Sequence, residues 1–406
     1  MRVACSAEVR RTFNSTSEAA WGQWPHFTPP PGQDERMTDQ RWAVRAQRLV
    51  ANGREQRGWW ITVNGGRIDT VGPHRPDLVP IVDLGPVDVI PGCIDLHADS
   101  FEPLARQHGL SRGVALFQNC CSAAGITSAY ACVAVESHHQ RYRRPVHAPA
   151  ALAALRRGAS QVDLRTHLRV DVTGDGLDVV LEAIGAEVVD LVSLMDHTPG
   201  QGQFRTSEQW RRYRIQQGDD EGVVEALLHR LQTGTHNAPE VRARIIEGAH
   251  RAGIPVLYHD AEDARSVAAG AVQGIDAFEF PVHIDAAVQA RNCGIPVAMG
   301  AENALAGRSR YGNLRTVDAL EAGCLDLLVS DHSPESMIPA AYALAGQGHM
   351  PWVHAIALIT ANPASVARLT DRGRIAPGQR ADLVAVRAAE NEVEIIQSWV
   401  AGMATI

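Results

Sequence analysis

Eight short apolar segments, with helical stretches between most of them, limit what this 406-residue chain can fold into. Most of these segments end at or near a polar residue. Because parallel strands need long crossover connections, the alternation predicts an α/β fold with a TIM-like (β/α)₈ barrel over residues 91–371. The predicted strands are 89–97, 126–135, 167–172, 188–195, 254–259, 275–280, 295–299 and 325–330. The predicted helices include 148–157, 177–186, 220–232, 239–252 and 284–292.

Both ends of the chain outside this barrel have β character. Two β-rich runs, 58–63 and 67–71, surround an Asn-Gly turn and predict a hairpin. Further strand-like runs occur at 381–386 and 394–400. We therefore expect residues 41–90 and 372–406 to form one small β-sandwich domain. Residues 1–40 carry Ser, Thr and a Pro-Pro-Pro run without periodicity and predict a flexible tail.

The overall composition excludes several classes of function. A formal net charge of −8 disfavours nucleic-acid binding, which needs a basic surface. No apolar run reaches the ~18 residues that a transmembrane helix requires, so no membrane partner is expected. The 7 cysteines contain no C-x-x-C pair and predict reduced thiols in a cytoplasmic protein. The expected partner is a small molecule, and a homodimer is left open.

The chain contains no lysine, so all 38 of its Lys and Arg residues are arginines. This excludes a Schiff-base lysine, a P-loop lysine and a carboxylated lysine. An anionic ligand would have to be bound by local arginines against the negative net charge.

Histidine and aspartate recur where the predicted strands end. His97 and Asp99 are two residues apart, so in an extended segment both side chains point to the same side. Imidazole and carboxylate together suit Zn²⁺ and similar ions. One such residue alone is more often a cap, but the recurrence predicts a metal site. The further members are His167, Asp171, His197, His259 and Asp331.

Several motifs resemble those of a known superfamily. Residues 91–97, Pro-Gly-Cys-Ile-Asp-Leu-His, resemble the start of the amidohydrolase barrel, and 373–384 are similar to its closing segment. The Met-Asp-His-Thr-Pro-Gly-Gln stretch at 195–201 is more specific. It is similar to the PhnM group, the α-D-ribose 1-methylphosphonate 5-triphosphate diphosphatases. Stretches 97–102, 259–260 and 279–281 match the same group, and the resemblance covers about 45–400.

The resemblance implies a metal-dependent hydrolase with the amidohydrolase fold. One or two divalent ions, Zn²⁺ or alternatively Mn²⁺ or Fe²⁺, would be held by His97, Asp99, His197, His259 and Asp331. Asp171 would replace the carboxylated lysine as the bridging carboxylate, and Asp331 would be the general base. The implied substrate-binding residues are Glu102, Gln201, Asp260, Asn303, Arg308, Arg310 and Asn313.

The preferred reaction is hydrolysis of a sugar triphosphate, releasing diphosphate in phosphonate metabolism. The substrate stays open because the loops around Gly202 and 306–310 differ from the group pattern. Arg308 and Arg310 form a candidate phosphate clamp there, and solvated loop arginines are an equally weighted alternative. Two other functions are kept: C–N chemistry on the same fold, either cyclic amide hydrolysis or deamination, and a non-catalytic scaffold.

Overall fold

The computed structural model describes residues 41–51, 53–136, 142–158, 161–196, 198–200, 206–216, 219–234, 238–309, 312–389 and 392–405. The predicted tail, 1–40, lies outside the described residues.

Seven strands precede the barrel. They are β1 (Trp42–Arg45), β2 (Arg48–Ala51), β3 (Arg54–Arg57), β4 (Trp60–Asn64), β5 (Arg67–Gly72), β6 (Ile81–Val82) and β7 (Asp88–Pro91). The predicted hairpin is β4 and β5, which pair antiparallel.

Eight strands then form one parallel sheet, in which each pairs with the next along the chain. They are β8 (Cys93–Ala98), β9 (Ile126–Val135), β10 (Asp163–Asp171), β11 (Leu191–Met195), β12 (Val256–His259), β13 (Ala277–Glu279), β14 (Val297–Gly300) and β15 (Leu327–Val329). Every residue of β9 is buried, as expected for a strand covered on both faces. The predicted (β/α)₈ fold class is confirmed.

Helices connect these strands and cover the sheet. They are α1 (Phe101–His108), α2 (Leu110–Ala123), α3 (Ala148–Arg157), α4 (Leu177–Gly185), α5 (Ser207–Gln216), α6 (Glu221–Gly234), α7 (Ala238–Arg251), α8 (Ala264–Gln273), α9 (Ile284–Asn292), α10 (Ala301–Ala306), α11 (Thr316–Glu321), α12 (Met337–Gly346), α13 (Trp352–Ala357) and α14 (Ala361–Val366). In the described part of the chain, no helix combines the length and apolarity needed to cross a membrane.

The last three strands return to the first seven. They are β16 (Leu383–Ala389), β17 (Glu392–Val400) and β18 (Met403–Ala404). Strand β16 lies between β7 and β17 in a six-stranded sheet, while β1 and β4 belong to a separate four-stranded sheet. Trp42 of one sheet stacks on Trp399 of the other, with ring centroids 5.0 Å apart, so the two sheets share an apolar core. The division at 90/91 and 371/372 remains our proposal.

The predicted strand 89–97 is wrong in one respect, because it is two strands that break at Gly92. Strand β7 lies in the sandwich and β8 in the barrel. A Cβ at Gly92 would lie 2.1 Å from Thr127 Oγ1, so the backbone passes where no side chain fits. Every residue of β7 and of β8 is buried, so the apolar pattern of the sequence continues across Gly92 and does not indicate the break.

The barrel closes where β8 and β15 end. Asp331 N donates to His97 O over 2.9 Å, and Asp99 N donates to Asp331 O over 2.6 Å. Nearer the amino ends, the backbone at 358–359 accepts hydrogen bonds from Ile94 N and Leu328 N instead. Apolar side chains such as Leu96, Leu191 and Leu257 form a buried cluster inside the barrel. The polar side chains therefore gather at the carboxyl ends of the strands.

Candidate metal and substrate site

The carboxyl ends of the barrel strands surround a cavity of about 500 Å³. Asp99, His259 and Asp331 line it, and His97 lies fully buried beside them. His97 is in β8 and Asp99 directly follows that strand, His259 ends β12, and Asp331 follows β15. The structure thus brings together four of the residues that the sequence assigns to a metal site.

His97 and Asp99 present two atoms suited to one ion. His97 Nε2 and Asp99 Oδ1 lie 3.7 Å apart, both are buried, and neither has a hydrogen-bond partner among the described residues. Ligand atoms of His97, Asp99 and Asp331 lie within 4.8 Å of one another. Buried polar atoms normally find partners, so this pair is costly without a cation. The group fits a divalent ion.

Glu279, at the end of β13, orients His97. Its Oε1 lies 3.1 Å from His97 Nδ1, and both side chains are completely buried. Burial raises the pKa of Glu279, but the interaction with His97 outweighs burial and brings the pKa down to about 2. Burial lowers the pKa of His97, but the Glu279 carboxylate more than offsets this and raises it. An ionised Glu279 accepts a hydrogen bond from Nδ1–H, which keeps the proton on Nδ1 and leaves Nε2 as the ligand atom, as in most metal-binding histidines.

Arg169, near the carboxyl end of β10, contacts two of the predicted ligands. Its Nη1 donates to Asp99 Oδ2 over 2.5 Å, and its Nη2 lies 3.0 Å from His259 Nε2. Burial raises the pKa of Asp99, but Arg169 lowers it well below its usual range. Because arginine only donates, His259 Nε2 accepts and the ring proton lies on Nδ1, which is 3.0 Å from Asp260 Oδ2.

The other inward-facing residues of β10 have different partners. Asp171 Oδ1 accepts hydrogen bonds from Thr173 N and Thr173 Oγ1, at 2.9 and 2.6 Å. Asp171 belongs to none of the candidate ion-binding groups among the described residues, so its bridging role stays a prediction. His167 Nδ1 lies 2.8 Å from Leu96 O, and burial lowers the pKa of His167 to about 3. His167 also groups with His97 and Cys132, but burial raises the pKa of the Cys132 thiol well above its usual value, which disfavours a thiolate ligand.

Three residues at strand ends have left-handed backbone conformations. The φ angles are 56° at Asp260, 52° at Phe280 and 56° at Asp331. Such angles cost about 1–3 kcal/mol for residues other than glycine and cluster at functional sites. Each residue donates its backbone N–H to the next strand of the sheet. Its left-handed conformation then directs the following residues out of the strand. The Phe280 ring packs 5.3 and 5.2 Å from the imidazoles of His97 and His259, which shields both from water.

The predicted substrate-binding residues lie in different places. Asp260, Asn303, Arg308 and Asn313 line the cavity. Asn303 also braces the loop, since its Nδ2 donates to Leu314 O and its Oδ1 accepts from Thr316 N. Arg308 is exposed at the rim. The predicted residues His197, Gln201 and Arg310 lie outside the described residues.

Glu102 is buried and lies outside the described lining of the cavity. It accepts hydrogen bonds from Ala134 N and from Arg143 Nε, both at 2.9 Å. Burial raises the pKa of Glu102 to about 7. Arg143 is also bound by Glu136 and itself lines the cavity. In this geometry Glu102 supports an arginine that faces the cavity.

Sequence reasoning missed Arg143, Arg169 and Glu279 as site residues. Arg169 had a usable signal, because it lies between His167 and Asp171 in a period of two along one strand. Glu279 is the last residue but one of the predicted strand 275–280. Arg143 follows a strand by several residues, and no pattern in the sequence marks it.

Comparisons with known proteins agree on the type of fold. The amidohydrolase family profile matches residues 89–404. The α-D-ribose 1-methylphosphonate 5-triphosphate diphosphatase of Escherichia coli (strain K12) is 31% identical over a match 361 residues long, which covers 84% of this chain and 93% of that protein. A prolidase structure in complex with N-methylphosphonate-L-proline has a TM-score of 0.62 and 14% identity, and the match covers 90% of this chain and 99% of that one. A D-hydantoinase structure has a TM-score of 0.54 and 14% identity, over 90% of this chain and 95% of the other.

Proposed function

Because this chain belongs to the amidohydrolase family, we propose that it is a metal-dependent hydrolase of α-D-ribose 1-methylphosphonate 5-triphosphate or a related sugar triphosphate. Water would cleave the bond between the first and second phosphoryl groups and release diphosphate, in phosphonate metabolism in the cytoplasm. The observation that carries this proposal is the 31% identity to the Escherichia coli diphosphatase over 84% of the chain. A match of that extent includes both the barrel and the sandwich strands.

The residues at the carboxyl end of the barrel support a role for one divalent ion, Zn²⁺ in our proposal. His97 Nε2, Asp99 Oδ1 and the Asp331 carboxylate would hold it. When bound, such an ion lowers the pKa of water and offsets negative charge on phosphoryl oxygens. Glu279 would keep His97 in the tautomer that binds through Nε2.

Asp331 is the proposed general base. Its side chain is 38% exposed and lines the cavity, whereas the Asp99 side chain is only 5% exposed. Asp331 can therefore reach both the ion and a water in the cavity, and its carboxylate would accept the proton of the attacking water. The left-handed turn at Asp331 directs the chain away from the strand at that point.

The phosphates at the far end of the substrate need cationic partners. Arg143 and Arg308 line the cavity and are proposed to bind them, since guanidinium groups pair with phosphate through two hydrogen bonds. Asn303 and Asn313 line the same wall and would donate to phosphate or sugar oxygens.

The test is a direct assay. The purified chain, loaded with Zn²⁺, is incubated with the ribosyl methylphosphonate triphosphate and followed by phosphorus NMR. We expect diphosphate and a 5-monophosphate in equal amounts, with Asp331→Asn strongly impaired. Release of inorganic phosphate alone, or ring opening of a cyclic amide with no action on the triphosphate, would overturn the proposal.

A further inference from the structure

Arg169 places a permanent positive charge between two residues that were assigned to metal binding. Its guanidinium donates to Asp99 Oδ2 and contacts His259 Nε2, so both atoms already face a cation. A second divalent ion bridging Asp99 and His259 would need the same two atoms.

Arg169 cannot easily give way to such an ion. The side chain is only 5% exposed, and an arginine does not lose its proton in a protein. If an ion displaced the guanidinium from Asp99, an uncompensated charge would remain inside the barrel, which is strongly unfavourable.

Among the described residues, the remaining ligand atoms suffice for one ion. Asp99 Oδ1, the oxygen that Arg169 does not contact, lies 3.7 Å from His97 Nε2, and Asp331 completes that group. The other candidate groups share His97 with it and add only Cys132 with His167, or His259 with Glu279. The chain has no lysine that could be carboxylated to bridge two ions. Asp171, the candidate replacement, has its Oδ1 hydrogen-bonded to Thr173.

We propose that the Arg169 guanidinium takes the place of a second metal ion, so that this enzyme binds one divalent ion per chain. The inference rests on the metal-dependent function proposed above and specifies its metal centre. Arg169 would then neutralise the Asp99 carboxylate and orient the His259 ring, so that neither task needs a second ion.

The test is the stoichiometry of ion binding. The full chain is stripped with a chelator, titrated with Zn²⁺ by calorimetry, and its zinc content is measured after gel filtration. We expect one ion per parent chain. Arg169→Met frees Asp99 Oδ2 and His259 Nε2 and should bind a second ion. The matched control is Arg165→Met on the same strand, which removes an arginine paired with Asp163 and should still bind one ion.

Two ions in the parent, or one ion in a folded Arg169→Met, would overturn the inference. Circular dichroism checks folding, and Arg169→Gln replaces the Met variant if that one does not fold; the parent stoichiometry decides in either case. Failure of the proposed function looks different. A chain that binds one ion but ignores the triphosphate overturns the function alone, two ions with triphosphate turnover overturn this inference alone, and no ion overturns both.

Discussion

The backbone amide of Asp99 donates a 2.6 Å hydrogen bond to the carbonyl oxygen of Asp331. The first and last strands of the barrel therefore meet at two carboxylates of the candidate ion-binding group. An ion held by both side chains would join the two edges of the sheet. Ion binding and closure of the barrel should be coupled.

Removing the ion should lower thermal stability. A ligand that binds only the folded state stabilises it by about 2.7 kcal/mol at a hundred times its Kd. We expect a chelator to lower the Tm and stoichiometric Zn²⁺ to restore it, measured by scanning calorimetry. His97→Ala should show a much smaller shift on adding Zn²⁺. An equal shift in that variant would place the ion elsewhere.

Glu279→Gln should lower the affinity for the ion without abolishing binding. The amide keeps the shape of the side chain but carries no negative charge. Its hydrogen bond from His97 Nδ1–H is therefore weaker, and the imidazole is held less firmly. Partners of this kind typically contribute about 10- to 100-fold in metal affinity. A competitive titration with a zinc chelator measures the change. Glu302→Gln at the cavity rim is the control and should bind zinc as the parent does; unchanged affinity in Glu279→Gln would contradict the assignment.

Activity should not depend on dissolved CO₂. The chain has no lysine to carboxylate, so every carboxylate near the ion is a permanent side chain. Apo-protein reconstituted with Zn²⁺ in bicarbonate-free buffer should regain full triphosphate hydrolysis, and added bicarbonate should not increase it. A rate that rises with bicarbonate would argue for a ligand that the sequence does not contain.

Arg308→Ala should slow hydrolysis of the triphosphate and leave the zinc content unchanged. A lost charge-assisted contact costs ~1.5–3 kcal/mol, or about ten- to hundred-fold in kcat/KM. Arg308 is exposed, so solvent screening favours the lower end of that range. Steady-state kinetics with Arg54→Ala, an exposed arginine of the sandwich, as control would check it. Kinetics identical to the parent would show that this loop binds no phosphate.

Ionisation of the buried Glu102 should lower the free energy of unfolding as the pH rises. Burial raises the pKa of this carboxyl from 4.5 to about 7, so the folded state holds the proton more tightly than the unfolded state. Its contribution is complete below about pH 4.5 and is lost as the pH rises through about 7. At about 1.4 kcal/mol per pKa unit, the loss is about 3 kcal/mol.

Denaturant unfolding between pH 5 and 8 tests this expectation. Glu102→Gln cannot titrate, so its stability should change less than that of the parent over the same range. Parallel curves for the two proteins would mean that Arg143 keeps Glu102 ionised throughout.

Periodicity and strand-end polarity predict the barrel and four members of the site, because both follow from local patterns. The break at Gly92 escapes such patterns, since β7 and β8 are equally buried and the close approach of Thr127 and Asp382 to Gly92 depends on the folded structure. Arg169 escapes for a different reason. A search for metal ligands looks for imidazole and carboxylate, whereas a cation that replaces an ion becomes visible only when its distances to Asp99 and His259 are known. Glu102 was assigned to the substrate from its position in a motif, while burial and Arg143 decide its contacts.

Strand β16 lies between β7 and β17. Leu383 of β16 pairs with Pro91 of β7, although all eight barrel strands lie between these two residues in the sequence. On the ribosome, β7 emerges before the barrel, and its neighbour β16 emerges only after the whole barrel. Until then, the nascent chain carries an open strand edge next to the segment that starts the barrel, and such edges invite association with other chains. A premature stop before Leu383 would leave that edge open permanently, so truncated products should be cleared by cellular quality control even though every barrel strand is present.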